Sequence, residues 1–173
     1  LRPLGKSAED YYIKQRDNNE KLEAKKKFYE MKAESDIIQA KEKNNPDDVS
    51  AVNNFNQTFG QYKNQQLSQI KNKRVKRKLE LLLNADQPES VYKIKAASFE
   101  ALEQQSLSMY NTEQNTLSAE YSLSKDPNLK DIAKQKRIES AKEFENMHLM
   151  GKPWLNKEIQ TINTDSAIFD ADV

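Results

Sequence analysis

The sequence predicts an all-α protein, an elongated bundle of three to four long helices with coiled-coil-like seams, and three observations carry that prediction. Only three glycines and five prolines interrupt the 173 residues. Apolar residues recur at spacings of three and four, the periodicity of a helix face, while the alternation expected of strands is weak throughout. The chain is also too polar for a thick single core, with 36% hydrophobic and 32% charged residues and a mean hydropathy of −0.99. Buried area must offset about 1–2 kcal/mol of backbone entropy per ordered residue, so this composition leaves either disorder or helices that complete their burial against other chains. Disorder normally brings few aromatics and a large net charge. Here Tyr and Phe recur inside helical patterns and the formal net charge is +1.

The first helix is expected from Ser7 to about Lys43. Ser7 and Asp10 have the spacing of a capping box, in which the serine accepts from a first-turn amide and the acid reaches back. Tyr12, Leu22, Tyr29, Ala33, Ile37 and Ala40 trace a thin apolar stripe. Asp17 with Lys21, and Glu23 with Lys27, are pairs four apart, each worth a few tenths of a kcal/mol. A helix this polar is marginal alone.

Asn44-Asn45-Pro46-Asp47 is the first break, because proline disfavours helix in the residue before it. In the next segment Val52, Phe55, Phe59 and Tyr62 step by three and four, a narrow coiled-coil-like seam. Leu67, Ile70, Val75, Leu79 and Leu82-Leu83 extend it with a phase shift at Asn72. A second break is expected from Asn84 to Ser90, around Pro88. A further helix then runs from about Pro88 to Ser124 with two overlapping stripes, one through Val91, Ile94, Ala97 and Ala101, the other through Tyr92, Phe99, Leu102, Met109 and Leu117. Lys125-Asp126-Pro127-Asn128 ends it. The fourth helix, Asn128 to Met150, carries Leu129, Ile132, Ile138, Ala141, Phe144 and Leu149, and Gly151 suits a left-handed cap after it. A short helix from Trp154 to Ile162 precedes a tail. The expected organisation is therefore a polar N-terminal helix (1–45), a central helical hairpin (46–125), C-terminal helices (126–163) and a tail (164–173).

Function is constrained mainly by residues the chain lacks. With no cysteine and one histidine, thiolate metal sites and disulfides are excluded, and His148 beside Met147 and Met150 reads as a packing or capping residue. No glycine-rich phosphate loop is present, and no carboxylate pair sits in an evident apolar pocket that would split its pKa values. We expect no enzyme, no catalytic residue, no metal, no cofactor and no small-molecule substrate. No apolar run approaches the ~18 residues of a membrane span, and no signal-peptide pattern is seen. The sequence begins at Leu1, as expected of a processed product, a fragment or the ordered part of a longer chain.

Three groups of residues invite a functional reading. Lys71, Lys73, Arg74, Lys76, Arg77 and Lys78 form the densest charge run and suit phosphate contacts, although on a helix they encircle the axis and equally suit a solvated face or an acidic partner. Lys25-Lys26-Lys27 is less specific. Phe55, Phe59 and Tyr62 fit helix packing better than base stacking. Trp154 suits an interface anchor, a lipid headgroup belt or a lid on a core. Gln57, Gln61, Gln65, Gln66, Gln69, Gln104, Gln105, Gln114 and Asn115 give the central helices faces that are polar without charge. Such faces line wet channels or make soft contacts between subunits, and an AT-rich coding bias yields the same composition.

The stretch from Phe55 to about Gln105 reads Phe55-x3-Phe59-x2-Tyr62, Leu67-x2-Ile70, Asn72 with its basic residues, Leu79-x3-Leu83, then Ser90-x-Tyr92 leading to Ala96-Ala97-Ser98-Phe99-Glu100. It resembles a helical segment of the internal virion or DNA-ejection proteins of short-tailed bacteriophages. The match covers under a third of the chain and its motifs are structural. The resemblance implies packing inside the capsid, ejection ahead of the genome and reassembly as a helical tube in the host envelope, first in the virion and then in the periplasm. It also implies a homo-oligomer in contact with portal, core or tail proteins, with the host envelope and transiently with DNA. The expected assembly seam is Val52, Phe55, Phe59, Tyr62, Leu79, Leu83, Phe99 and Leu102. The alternatives are a helical nucleic-acid-binding protein using Lys71–Lys78, or a coiled-coil adaptor or translocator-like interaction protein.

Overall fold

The computed structural model describes residues 2–172, with side-chain environments from Gly5 onward. The chain is all-α and 90% helical, with no strand among the described residues. Five helices follow in order: α1 (Arg2–Lys41), α2 (Asp48–Ser68), α3 (Lys73–Leu123), α4 (Pro127–His148) and α5 (Lys152–Ala171). Contacts divide the chain into two compact units, one extending to Leu102 and the other beginning at Glu103. The 51-residue α3 contributes to both.

In the first unit α2 runs antiparallel to α1 and to the first part of α3. Ala24 and Met31 of α1 pack with Leu67 of α2 and with Val75, Leu79 and Leu83 of α3. Farther along, Ile38 meets Ala51, Phe55 and Ile94. Phe59 joins both clusters, and Phe55, Phe59 and Tyr62 form an aromatic ladder with centroid spacings of 5.5 and 6.1 Å. Ion pairs tie α1 to α3 at the rim. Lys78 Nζ donates to Asp17 at 2.6 Å and to Glu20 at 3.2 Å, and Lys32 Nζ donates to Asp86 at 2.6 Å.

The second unit repeats the up-down-up order with the end of α3, α4 and α5. Tyr110, Ala141, Phe144 and Ile162 form its core, with Ile138, Trp154 and Leu155 packed against it. Tyr110 stacks on Phe144 at 4.7 Å. Trp154 lies 5.5 Å from Phe144 and 5.8 Å from Tyr110.

Several expected boundaries are corrected. Ser7 lies inside α1 and caps nothing. Asp17 does pair with Lys21 at 3.0 Å, but Lys27 pairs with Glu30 at 3.6 Å rather than with Glu23. The chain does not break at 84–90; α3 runs straight through Pro88. Proline removes one intrahelical bond, and both Pro88 and Asn84, whose carbonyl loses its partner, are exposed, so water can satisfy that group. Asp86 meanwhile binds Lys32, Gln87 donates to Asn56 at 3.4 Å, and Ser90 is buried. Tertiary contacts hold the helix together there.

The break falls instead at residues 69–72, the place of the phase shift. Asn72 Oδ1 accepts from the amides of Arg74 (3.0 Å) and Val75 (3.4 Å) and starts α3. At the end of α4 the left-handed residue is Leu149 (φ 51°), while Gly151 (φ 92°) is the N-cap of α5. Residues 164–171, expected as a tail, are the last two turns of α5. Buried Ile162 and Ser166, and the bond from Tyr121 to Asp170, hold that end in place.

Candidate interaction surfaces

The eight seam residues separate into two groups. Phe55, Leu79 and Leu83 are buried in the chain's own first unit, and Val52, Phe59 and Tyr62 are half-buried against the same clusters. These six hold helices of one chain together. Phe99 and Leu102 are exposed, at 62% and 46%. Trp154 packs into the aromatic core of the second unit.

The thin stripe on α1 is the one the first unit leaves outside. Tyr12, Leu22, Tyr29 and Ile37 are all more than half exposed, and Ala33 and Ala40 are exposed as well. The buried face of α1 is carried by Glu20, Ala24, Met31, Ser35 and Ile38. From Leu22 to Ala24, and from Tyr29 to Met31, the step is two residues, a little over half a turn at 3.6 residues per turn. The two stripes therefore lie on opposite sides of one helix. Sequence reasoning found the outer stripe and missed the inner one, because the inner face mixes small, sulfur-containing and polar residues.

The six basic residues are also divided by the fold. Lys78 is committed to Asp17 and Glu20, and Arg74 lies 3.9 Å from Glu20. The Lys78 hydrogen bond, helped by Lys21, holds the Asp17 carboxyl down at about 2, and Asp17 in turn pushes the Lys78 ammonium up. No ion pair is formed by Lys71, Lys73, Lys76 or Arg77 among the described residues. A cleft of about 300 Å³ is lined by Lys73, Arg74, Arg77 and Lys78. The N-terminal end of the α3 dipole adds positive potential there.

Sequence reasoning missed the polar core of the second unit. Arg137 is 8% exposed. Its Nε donates to Gln114 Oε1 at 2.9 Å and its Nη2 to Asp165 at 3.2 Å, while Gln114 Nε2 donates to the Arg137 carbonyl at 2.9 Å. The Tyr110 hydroxyl donates to Glu158 at 2.6 Å, and burial first, then that bond, pushes its pKa far up. Tyr121 donates to Asp170 at 2.8 Å, and Lys130 both pairs with Asp170 at 3.1 Å and sits 5.1 Å from the Tyr121 ring centroid. Burial raises the Tyr121 pKa, and the Tyr121 bond lowers that of Asp170. The spacing of Gln114 and Arg137 on different helices left no signal in a linear reading.

A groove of about 370 Å³ lies between α3 and α4 in this unit. Tyr110 and Phe144 form its floor, the exposed Met109 and Met147 its walls, and Glu113 and Glu143 its charge. Glu113 accepts from the Ser140 hydroxyl at 2.8 Å. The His148 ring lies tilted against Phe144, with centroids 4.4 Å apart, and its Nε2 is shielded from solvent without a hydrogen-bond partner.

Among the described residues no group of three or more His, Cys, Asp or Glu side chains is placed to hold a metal ion. No described helix is long and apolar enough to cross a membrane. The fold is that of an all-α protein of five helices, divided into two units that share α3. No protein-family model, curated protein or solved structure matches the chain.

Proposed function

We propose that this chain is a non-enzymatic assembly protein that associates with copies of itself, its long helices forming coiled-coil-like contacts between chains. One observation carries the reading: the first unit covers one face of α1, of mixed residues, and leaves the apolar stripe on the opposite face uncovered. A helix this polar does not keep Tyr12, Leu22, Tyr29, Ala33 and Ile37 in register by solvation. A packing partner accounts for them.

The setting we propose is the virion of a tailed bacteriophage, where such an oligomer would help deliver the genome through the host envelope. That part rests on the resemblance of residues 55–105 alone. The test of assembly is the solution mass by light scattering coupled to size exclusion. A discrete multiple of the 20.1 kDa chain supports it, and a monomer over the accessible concentration range removes it. Leu22→Glu with Tyr29→Glu, on the exposed face, is expected to dissociate the oligomer while leaving helicity intact. Phe59→Asp is a poorer probe, because Phe59 belongs to both core clusters of its own chain.

A second reading, nucleic-acid binding, is favoured by one observation: Lys71, Lys73, Lys76 and Arg77 are close in sequence around the start of α3 and form no ion pair among the described residues. Four phosphate contacts would give a log–log salt slope of roughly −3.6 on duplex DNA. A slope near zero, or no binding, would dispose of it.

A further inference from the structure

We infer that the acidic, methionine-walled groove of the second unit receives the outer stripe of α1 from a second copy of this chain, a head-to-tail contact. This rests on the proposed self-association and names the surfaces that carry it.

The first argument is chemical. The groove lining contains two carboxylates, Glu113 and Glu143, and no lysine or arginine. Between Leu22 and Tyr29 the exposed side of α1 carries Lys25 and Lys26 against one acid, Glu23, which shares a shallow cleft with Lys26, and neither lysine forms an ion pair among the described residues. An apolar groove with an acidic edge thus faces its complement, an apolar stripe with a basic insert. Charge complementarity of this kind fixes partner choice and register.

The second argument is dimensional. Leu22 to Tyr29 spans seven residues, roughly 10 Å of helix at 1.5 Å per residue. The α4 wall of the groove runs from Ser140 to His148, eight residues or roughly 12 Å. Two aliphatic or aromatic anchors two turns apart fit one such wall, which is the spacing used when a helix lies in a groove. Methionine walls adapt to such a helix, because the thioether is flexible and polarizable.

The third argument concerns the alternatives within self-association. If α1 stripes paired with one another in antiparallel fashion about their midpoint, Lys25 and Lys26 would face the same lysines of the other copy. If two grooves met, Glu113 and Glu143 would face Glu113 and Glu143. Both symmetric arrangements bring these like charges together, whereas the head-to-tail arrangement sets Lys25 and Lys26 against Glu113 and Glu143. A contact between two different surfaces closes into a ring or continues as a filament.

The test is a charge exchange followed by mixing. The α1 variant carries Lys25→Glu and Lys26→Glu; the groove variant carries Glu143→Lys. All three positions are exposed, and circular dichroism checks that both variants fold. Each variant alone should associate about tenfold or more weakly than the unaltered chain. Mixed in equal amounts, they should reassemble, because the acidic stripe of one meets the basic groove of the other. Light scattering and sedimentation velocity read the result. A groove variant that assembles as well as the unaltered chain overturns the inference, and so does a mixture that stays dissociated. A monomeric unaltered chain overturns the proposed self-association itself, a distinguishable failure.

Discussion

The two units share an up-down-up order of three helices, yet they are held together by different chemistry. In the first, the interior is mainly an apolar column from Ala24 and Met31 through Leu79 and Leu83 to Phe55 and Ile94, and its charged bonds lie along the edge of that column, where Asp17 is open to solvent and Glu20 is covered by Lys78. In the second, charged and polar groups enter the interior. The buried Arg137 bonds the buried Gln114 and the partly exposed Asp165, and Tyr110 bonds Glu158 beside the aromatic cluster. An apolar column tolerates sliding between helices more readily than a hydrogen-bonded pair with fixed geometry. The first unit is thus stabilised mostly by burial. In the second, hydrogen bonds also fix which residue sits opposite which.

The largest effects should separate these mechanisms. Arg137→Ala leaves Gln114 and Asp165 without their buried partner and is expected to cost about 3–5 kcal/mol. The paired replacement Arg137→Leu with Gln114→Leu should regain most of that loss, because the buried Gln114 amide is then gone too and the partly exposed Asp165 is left to water. Phe55→Ala in the first unit should cost a similar ~3–5 kcal/mol, and no polar substitution nearby should rescue it. Hydrogen exchange locates each loss: protection should fall in α4 and α5 for Arg137→Ala, and in α1 and α2 for Phe55→Ala. If the paired leucine variant is no more stable than Arg137→Ala, the polar network is not what distinguishes the second unit.

Tyr110→Phe sharpens the same comparison at smaller scale. It removes one hydrogen bond to a charged group and should cost about 1.5–3 kcal/mol. The pH dependence follows from the raised pKa values of Tyr110 and Tyr121. A phenol whose folded pKa is raised contributes its stability in full below the unfolded value of 10.0 and loses it as pH rises from there toward the folded value. The second unit should therefore weaken above about pH 10, and Tyr110→Phe should flatten that slope. Lys32 and Lys78 in the first unit are also raised by their acids, but their pairs lie at the rim and should respond less. Chemical denaturation between pH 8 and 11, followed by near-ultraviolet circular dichroism of the aromatics, measures the slope.

The all-α class and the breaks at Pro46 and Pro127 were legible because each is a local property of the chain. The seam Phe55-Phe59-Tyr62 was legible as well, and the structure puts it into the core of its own chain. What was not legible depended on distant partners. Asn84–Ser90 has every mark of a turn, but Lys32 and Asn56, each more than 30 residues earlier, bind Asp86 and Gln87 and keep α3 continuous. The real break at Asn72 has neither proline nor glycine, and only the change of phase betrayed it. For the surfaces, the sequence showed the stripe on α1 but not which side of the helix the chain would cover. The basic run was visible as a run, and its division into paired and unpaired members depended on Asp17 and Glu20. The Met-walled groove could not be seen at all, since it exists only where α3 and α4 lie side by side.

The smallest expected effect tests the rim of the first unit. Asp17 receives Lys78 and Lys21 and is held at about 2, below its ordinary value of 3.8. A carboxyl with a depressed folded pKa contributes stability above its unfolded value and loses it as pH falls through the folded one. The contribution of Asp17 should thus be intact above about pH 4 and gone near pH 2. Because the group is open to solvent, Asp17→Asn should move the unfolding midpoint at pH 7 only slightly, and less still in high salt. A large loss at pH 7 that salt does not reduce would show that the rim carries load after all. The first unit would then depend on placed charges as the second does, and the contrast between the two would reduce to how deeply each buries them.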